Sequence, residues 1–216
     1  TMLLHLLRHF AFDRYHGYRW FAWITGVVLI WLVYISGING YMLPWDTTAQ
    51  FVTQATAEWL DRLPVFGGVL VRNFITPDAV NDRLFSLLSF LHIGLPLGVL
   101  ALLWVHTQRV PGAKTNPPRA IAIPLTVALV VLSIVKPALS LAPADLLTAP
   151  GELAFDWFYL PALAALYAWG PATVWAIVGG GTLLMLALPW LPPRRAGKVV
   201  RHVAVRPDNR IVPARP

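Results

Sequence analysis

The 216 residues are 57 % hydrophobic and 12 % charged, with ten Trp, nineteen Pro and a formal charge of +7. That composition excludes an ordinary soluble domain and describes a polytopic membrane protein; the positive charge is confined to certain loops and the tail, so it is no nucleic-acid footprint. With no cysteine, this chain holds no disulfide, thiolate-bound iron–sulfur cluster or covalently attached c-type haem, and any redox metal must take nitrogen or oxygen ligands.

Thr1 to Phe12 starts abruptly on apolar residues without a capping signal, as expected of the end of a longer helix. After a polar turn, Asp13 to Arg19, the run Trp20 to Leu43 predicts a spanning helix closed by Pro44. Trp45 to Asp82 is too polar to span, and Gln50 to Leu63 within it reads as an amphipathic interfacial helix anchored by Trp59. The next span runs from about Leu84 to Gln108 and ends at a loop, Arg109 to Arg119, punctuated by Pro111, Gly112 and Pro117–Pro118. Ala120 to Val135 is a shorter span that tolerates Pro124 in its first turns.

Lys136 to Leu153 is a proline-rich, acidic connection. Phe155 to Trp169, interrupted by Pro161, is a short interfacial helix or the start of a span. Gly170 to Leu191 is the last span, with Gly179–Gly180–Gly181 permitting close helix contact. Pro192 to Pro216 is basic and proline-rich; its VAV and IV fragments alternate like short strands, as in the lead-in to a soluble domain. The expected fold is all-α: a membrane helical bundle of four complete transmembrane helices plus the end of another, with interfacial helices.

Charge sets the expected orientation. Arg8, Arg14 and Arg19, then Arg109, Lys114 and Arg119, then the tail arginines and Lys198 form the basic connections. Asp46, Glu58, Asp61, Asp78 and Asp82, then Asp145, Glu152 and Asp156, mark the acidic ones. The positive-inside rule puts the basic set and the tail in the cytoplasm of an inner-type membrane.

His92 and His106 are the strongly ligating side chains of Leu91 to Gln108. Fourteen residues is nearly four turns, so both imidazoles leave one helix face, about 21 Å apart along the axis. Imidazole within a bilayer is costly without a partner. A lone histidine there is often a hydrogen-bond bridge between helices; a same-face pair beside Gly94 and Gly98 suggests two metal centres, one near each membrane surface. On the charge argument His106 and His5 share the cytoplasmic depth, and His92 lies near the outside.

Gly40-Tyr41-Met42-Leu43-Pro44-Trp45-Asp46 closes a spanning helix and precedes the helix with two histidines fourteen apart. This combination resembles cytochrome b, the quinol-oxidising core of bc and bf complexes. Asp46 and the run Trp23 to Leu29 are closer to the b6 branch, the histidine spacing to the mitochondrial and proteobacterial branch. The resemblance reaches almost to Leu191. It implies a haem-binding part over residues 1–118 that lacks the first helix and the start of the second. A C-terminal-like part with the outer quinol loop follows over 119–191, then a basic tail over 192–216.

His5-Leu6-Leu7-Arg8 matches the family's His-x-x-Arg, which implies a b-type haem held by His5 and His106, with Arg8 beside it. Gly26 and Gly40 match helix glycines that let a porphyrin approach the backbone; otherwise they read as packing glycines. His92 would bind an outer haem whose second ligand lies fourteen residues before His5, off this chain; His9 and His16 are too close to the cytoplasmic loop to serve. Phe155-Asp156-Trp157-Phe158-Tyr159 aligns with the family's Pro-Glu-Trp-Tyr at the outer quinol site. There Asp156 would accept a quinol proton, with Trp157 and Tyr159 beside it, or Asp156 would simply cap the following helix. Phe155 replaces the proline, and Val52 stands where the family has a pocket glycine.

The resemblance implies an electron-transfer subunit that passes electrons from quinol through haem b across the bilayer. Its implied partners are an iron–sulfur protein and a c-type cytochrome, and a homodimeric complex. A dihaem anchor relaying electrons between quinone and a dehydrogenase subunit is the alternative, and a non-redox membrane subunit the third.

Overall fold

In a computed structural model, residues 1–110, 112–154 and 157–192 are described, together with the backbone of two two-residue strands in the tail. Among the described residues eight α-helices follow in chain order: α1 (Met2–Ala11), α2 (Trp20–Met42), α3 (Thr47–Asp61), α4 (Val69–Phe74), α5 (Asp82–Gln108), α6 (Arg119–Val135), α7 (Pro161–Trp169) and α8 (Pro171–Ala187). β1 (Ala204–Val205) pairs antiparallel with β2 (Ile211–Val212), where the tail sequence alternates. Among the described residues three segments are long and apolar enough to cross a membrane: Gly17–Met42, Asp82–Gln108 and Pro171–Trp190. At 17 residues, α6 is at the lower limit for a span. Gly170, at φ +79°, separates α7 from α8, so the apolar run before it contributes the short helix Pro161–Trp169 and not the start of the last span.

α2 is the central element. It packs antiparallel on α5, and α3, α7 and α8 close over its other sides. Three indole N–H groups fasten α8: Trp23 donates to the Met185 carbonyl (2.7 Å), Trp31 to Thr182 Oγ1 (3.1 Å) and Trp175 to the Trp59 carbonyl (2.7 Å). Trp59 is therefore no interfacial anchor. It is 4 % exposed and its ring lies 4.7 Å from that of Trp175. α3 buries Val52, Ala55 and Trp59 against the bundle while Glu58 faces out. The Tyr167 hydroxyl bonds Glu58, and burial first, then this carboxylate, raises the phenol's pKa. The glycine triplet of α8 makes no close contact either: a Cβ at Gly179, Gly180 or Gly181 would meet nothing within 4 Å among the described residues, and the same holds at Gly94 and Gly98.

Charged connections sort by end. His16 Nδ1 lies 3.1 Å from the Pro189 carbonyl, Trp20 stacks near Trp190, and the Arg109 guanidinium sits over the Phe21 ring, so three basic segments meet at one end. At the other end the two acidic connections interlock. Asp46 caps α3 through Ala49 N (2.9 Å) and accepts from Leu141 N (3.0 Å). Gln50, 1 % exposed, donates to the carbonyls of Asp145 and Thr148 (2.8 Å each) and accepts from Asp145 N (2.9 Å). Gln50→Leu removes three hydrogen bonds that tie a largely exposed loop to a buried side chain, so unfolding free energy should fall by about 2–4 kcal/mol. Denaturant or thermal unfolding in detergent checks this, with faster proteolysis of the 137–148 loop as the accompanying sign.

Candidate functional site

α2 and α5 run antiparallel in one register that brings two glycines under two histidines. A Cβ on Gly26 would sit 3.4 Å from His106 Cε1, and one on Gly40 would sit 2.9 Å from His92 Cε1. Both spacings are fourteen residues, so the match is a property of two rigid helices. The histidines share the α2-facing side of α5, as their spacing requires.

α1 brings a second imidazole to the basic end. The rings of His5 and His106 are 6.5 Å apart, centre to centre, and tilted at 63°. One ion held from both sides, with metal–nitrogen bonds of about 2 Å and roughly 1 Å more to each ring centre, needs a separation of about 6 Å. α1 is held in place by Leu6 and Phe10, which pack with Tyr15, Trp23 and Val27. His9 stacks on His5 at 4.5 Å, Arg8 is exposed in the last turn, and His16 is occupied by Asp13 (3.5 Å) and Pro189. Among the described residues no group of three or more His, Cys, Asp or Glu forms a protein-only metal cage. Two nitrogens on opposite sides are what a porphyrin-bound iron takes from its protein.

His106 Nδ1 lies 2.9 Å from the hydroxyl of buried Thr25. His92 differs: its Nδ1 is buried with no hydrogen-bond partner, and no second imidazole is paired with it among the described residues.

At the acidic end, a cavity of about 390 Å³ is lined by Trp31, Tyr34 and Ile38 of α2, Thr56 and Trp59 of α3, Leu163 and Trp175. Its size and apolar walls suit a small ring compound. Thr56 Oγ1 and Trp59 Nε1, on two of its residues, are buried without a hydrogen-bond partner among the described residues. Tyr159 backs this wall: its carbonyl accepts from the Tyr34 hydroxyl (2.9 Å), and its ring lies against Gly37, where any Cβ would overlap it. Trp157 points away, 81 % exposed. Asp156 and Phe155 lie outside the described residues. Val52 is fully buried in the α3 core.

Residues 1–143 match the family model described as cytochrome b (N-terminal)/b6/petB. The chain belongs to the cytochrome b family. It is similar to the menaquinol:cytochrome c reductase cytochrome b subunits of Bacillus subtilis (31 % identity over 108 residues, 49 % of this chain and 48 % of that one) and Geobacillus thermodenitrificans (30 %, the same coverage). It is also similar to cytochrome b of Eptatretus burgeri, at 23 % identity over 192 residues, covering 77 % of this chain and 49 % of the relative. The chain spans about half the length of the curated relatives it matches. Membership of the cytochrome b family and several apolar helices together make this a multi-pass membrane protein.

Sequence reasoning missed three residues of this neighbourhood. Thr25 stood in a quoted motif without a role, Gly37 was an unmarked helix glycine, and Gln50 was read only as the start of an interfacial helix. A polar residue one step before a glycine that faces His106 was the available signal for Thr25; Gly37 and Gln50 depend on partners more than 90 positions away.

Proposed function

We propose that this chain is the haem-bearing, quinone-binding part of a membrane quinol oxidoreductase related to the menaquinol:cytochrome c reductases. The observation that carries the proposal is the facing pair His5 and His106, set over Gly26 at the separation one iron needs. These residues suit haem b, with His5 and His106 as axial ligands, and the orphaned His92 Nδ1 beside Gly40 suits the ligand side of an outer haem. Haem iron, when bound, supplies one-electron transfer between the two membrane depths. The chain's own work is to orient the imidazoles, leave flat space at two glycines and exclude water with apolar helices.

The residues divide into a haem-binding part (1–118), a part completing the quinol site (119–191) and a basic tail (192–216) on the cytoplasmic side. The 390 Å³ cavity at the opposite end receives the quinol ring. Asp156, three positions before Tyr159, is the proton acceptor there; Tyr159 backs the cavity wall, while exposed Trp157 flanks Asp156 in sequence only. An iron–sulfur protein and a c-type cytochrome take the remaining electrons in a homodimeric complex. The dihaem-anchor reading draws on buried Val52 and on Phe155, which depart from the family's outer site.

A dithionite-reduced spectrum of the purified membrane complex tests the proposal. A b-type band is expected, and quinol turnover should be blocked by outer-site inhibitors. Absence of the band removes the proposal; a band with inhibitor-insensitive turnover leaves the dihaem anchor. Asp156→Asn should slow quinol oxidation about 10²-fold or more, the scale of a lost general base, with haem content unchanged. A capping aspartate would instead tolerate Asn and lose about 1 kcal/mol of stability with Ala. Full turnover of Asp156→Asn at saturating quinol removes the catalytic role.

A further inference from the structure

The two histidines of α5 are treated differently by α2. His106 Nδ1 is 2.9 Å from Thr25 Oγ1, whereas His92 Nδ1 is buried and unpartnered among the described residues. The chemistry of the Thr25 hydroxyl decides which way the first contact runs. A hydroxyl has one proton and two lone pairs. That proton is directed at the preceding turn of α2, where Oγ1 is 2.9 Å from the Phe21 carbonyl and 3.1 Å from that of Ala22. A helical threonine commonly makes this bond to the fourth carbonyl back. What remains toward the imidazole is a lone pair, so Nδ1 must carry the hydrogen and donate it; the Ala22 carbonyl, which the His106 ring also hydrogen-bonds, can likewise only accept. The neutral ring is then the tautomer with Nε2 bare, the nitrogen free to bind a metal.

We infer that Thr25 is a positioning residue for the His106-bound haem: it accepts the Nδ1–H bond, locks the imidazole with Nε2 toward the iron, and lowers that haem's midpoint potential. This rests on the haem reading above. The direction follows because a ligating imidazole that donates from its other nitrogen becomes a stronger base, and a stronger base stabilises ferric over ferrous iron. The cytoplasmic-side centre has this contact from α2 and the outer one does not, so Thr25 is a device that distinguishes the two. Its 7 % exposure keeps water from taking over as acceptor.

The test is redox titration of both b-type signals in the assembled complex, comparing Thr25→Val, Thr25→Ser and Thr53→Val. Thr53 is the matched control: it is equally buried and makes the same bond to the fourth carbonyl back (Ala49, 2.7 Å), but touches no histidine. Thr25→Val should raise the potential of the His106 haem and leave the His92 haem where it is. If the lost bond is worth tenfold in relative ferric affinity, the low end of second-shell effects, the shift is about 59 mV. Thr25→Ser keeps the hydroxyl and should titrate as the parent, and Thr53→Val should move neither signal. Should Thr25→Val assemble without that haem, Thr25→Ala, which removes the acceptor without adding bulk, is expected to show the same upward shift. Unchanged potentials in Thr25→Val or its Ala substitute overturn the inference and leave Thr25 a helix residue bonded only to its own backbone. The His106→Ala spectrum separates the failures: a retained inner signal sinks the haem reading and this inference together. A lost inner signal beside an unmoved Thr25 variant sinks the inference alone.

Discussion

His106→Ala should abolish one of the b-type signals while the other persists, and His5→Ala should do the same. On the proposed assignment each supplies one of two nitrogens, and with one imidazole missing the 6.5 Å gap between the rings loses its second donor. The protein cannot compensate from nearby. His9 packs against His5 with ring centres 4.5 Å apart, and His16 lies at the Pro189 carbonyl with Asp13 beside it. The two substitutions remove the same ligand pair, so the double variant should lose no more haem than either single one, the non-additivity expected of residues that act as a unit. Stability should fall with haem content, because a group bound only by the folded state stabilises it by mass action. Pyridine haemochrome quantitation with reduced-minus-oxidised spectra reads all three variants. Undiminished absorbance in either single variant would remove the His5–His106 assignment.

Gly40→Ala should damage the outer site far more than Gly26→Ala damages the inner one. A methyl at Gly40 would come within 2.9 Å of His92 Cε1, closer than real Cβ contacts, whereas at Gly26 the distance to His106 Cε1 is an ordinary 3.4 Å. The atom struck at Gly40 is the tip of a ring, so the cheapest relief is to rotate His92 and not to part the helices. Fold stability should therefore change by only about 1 kcal/mol, partly offset by the better helix propensity of alanine. The ligand, however, is turned from its direction, and a misoriented ligand is worth about 10–100-fold in metal affinity. The outer haem should thus be depleted in Gly40→Ala with the inner one intact. Equal retention of both signals would mean that His92 does not ligate.

The sequence by itself determined the helices and which residues share one side of them. Runs of apolar residues closed by Pro44, Pro117–Pro118 and Gly170 set α2, α5, α6 and α8 to within a few residues, because a segment in lipid must satisfy its backbone internally. Helical periodicity put His92 and His106 on one side for an equally local reason, and the charge pattern sorted the loops by bundle end. Tertiary structure alone decided which side of each helix meets protein. Among apolar residues hydropathy does not distinguish a lipid-facing position from a packed one, since both neighbours are equally apolar. Gly26, Gly37 and Gly40 therefore proved to be the close approaches, and Gly94, Gly98 and the α8 triplet did not. For the same reason Trp59 turned inward onto Trp175. The Thr25–His106 bond and the Gln50 clamp join residues 81 and 95 positions apart, and only the register of packed helices and loops brings such pairs within hydrogen-bond reach.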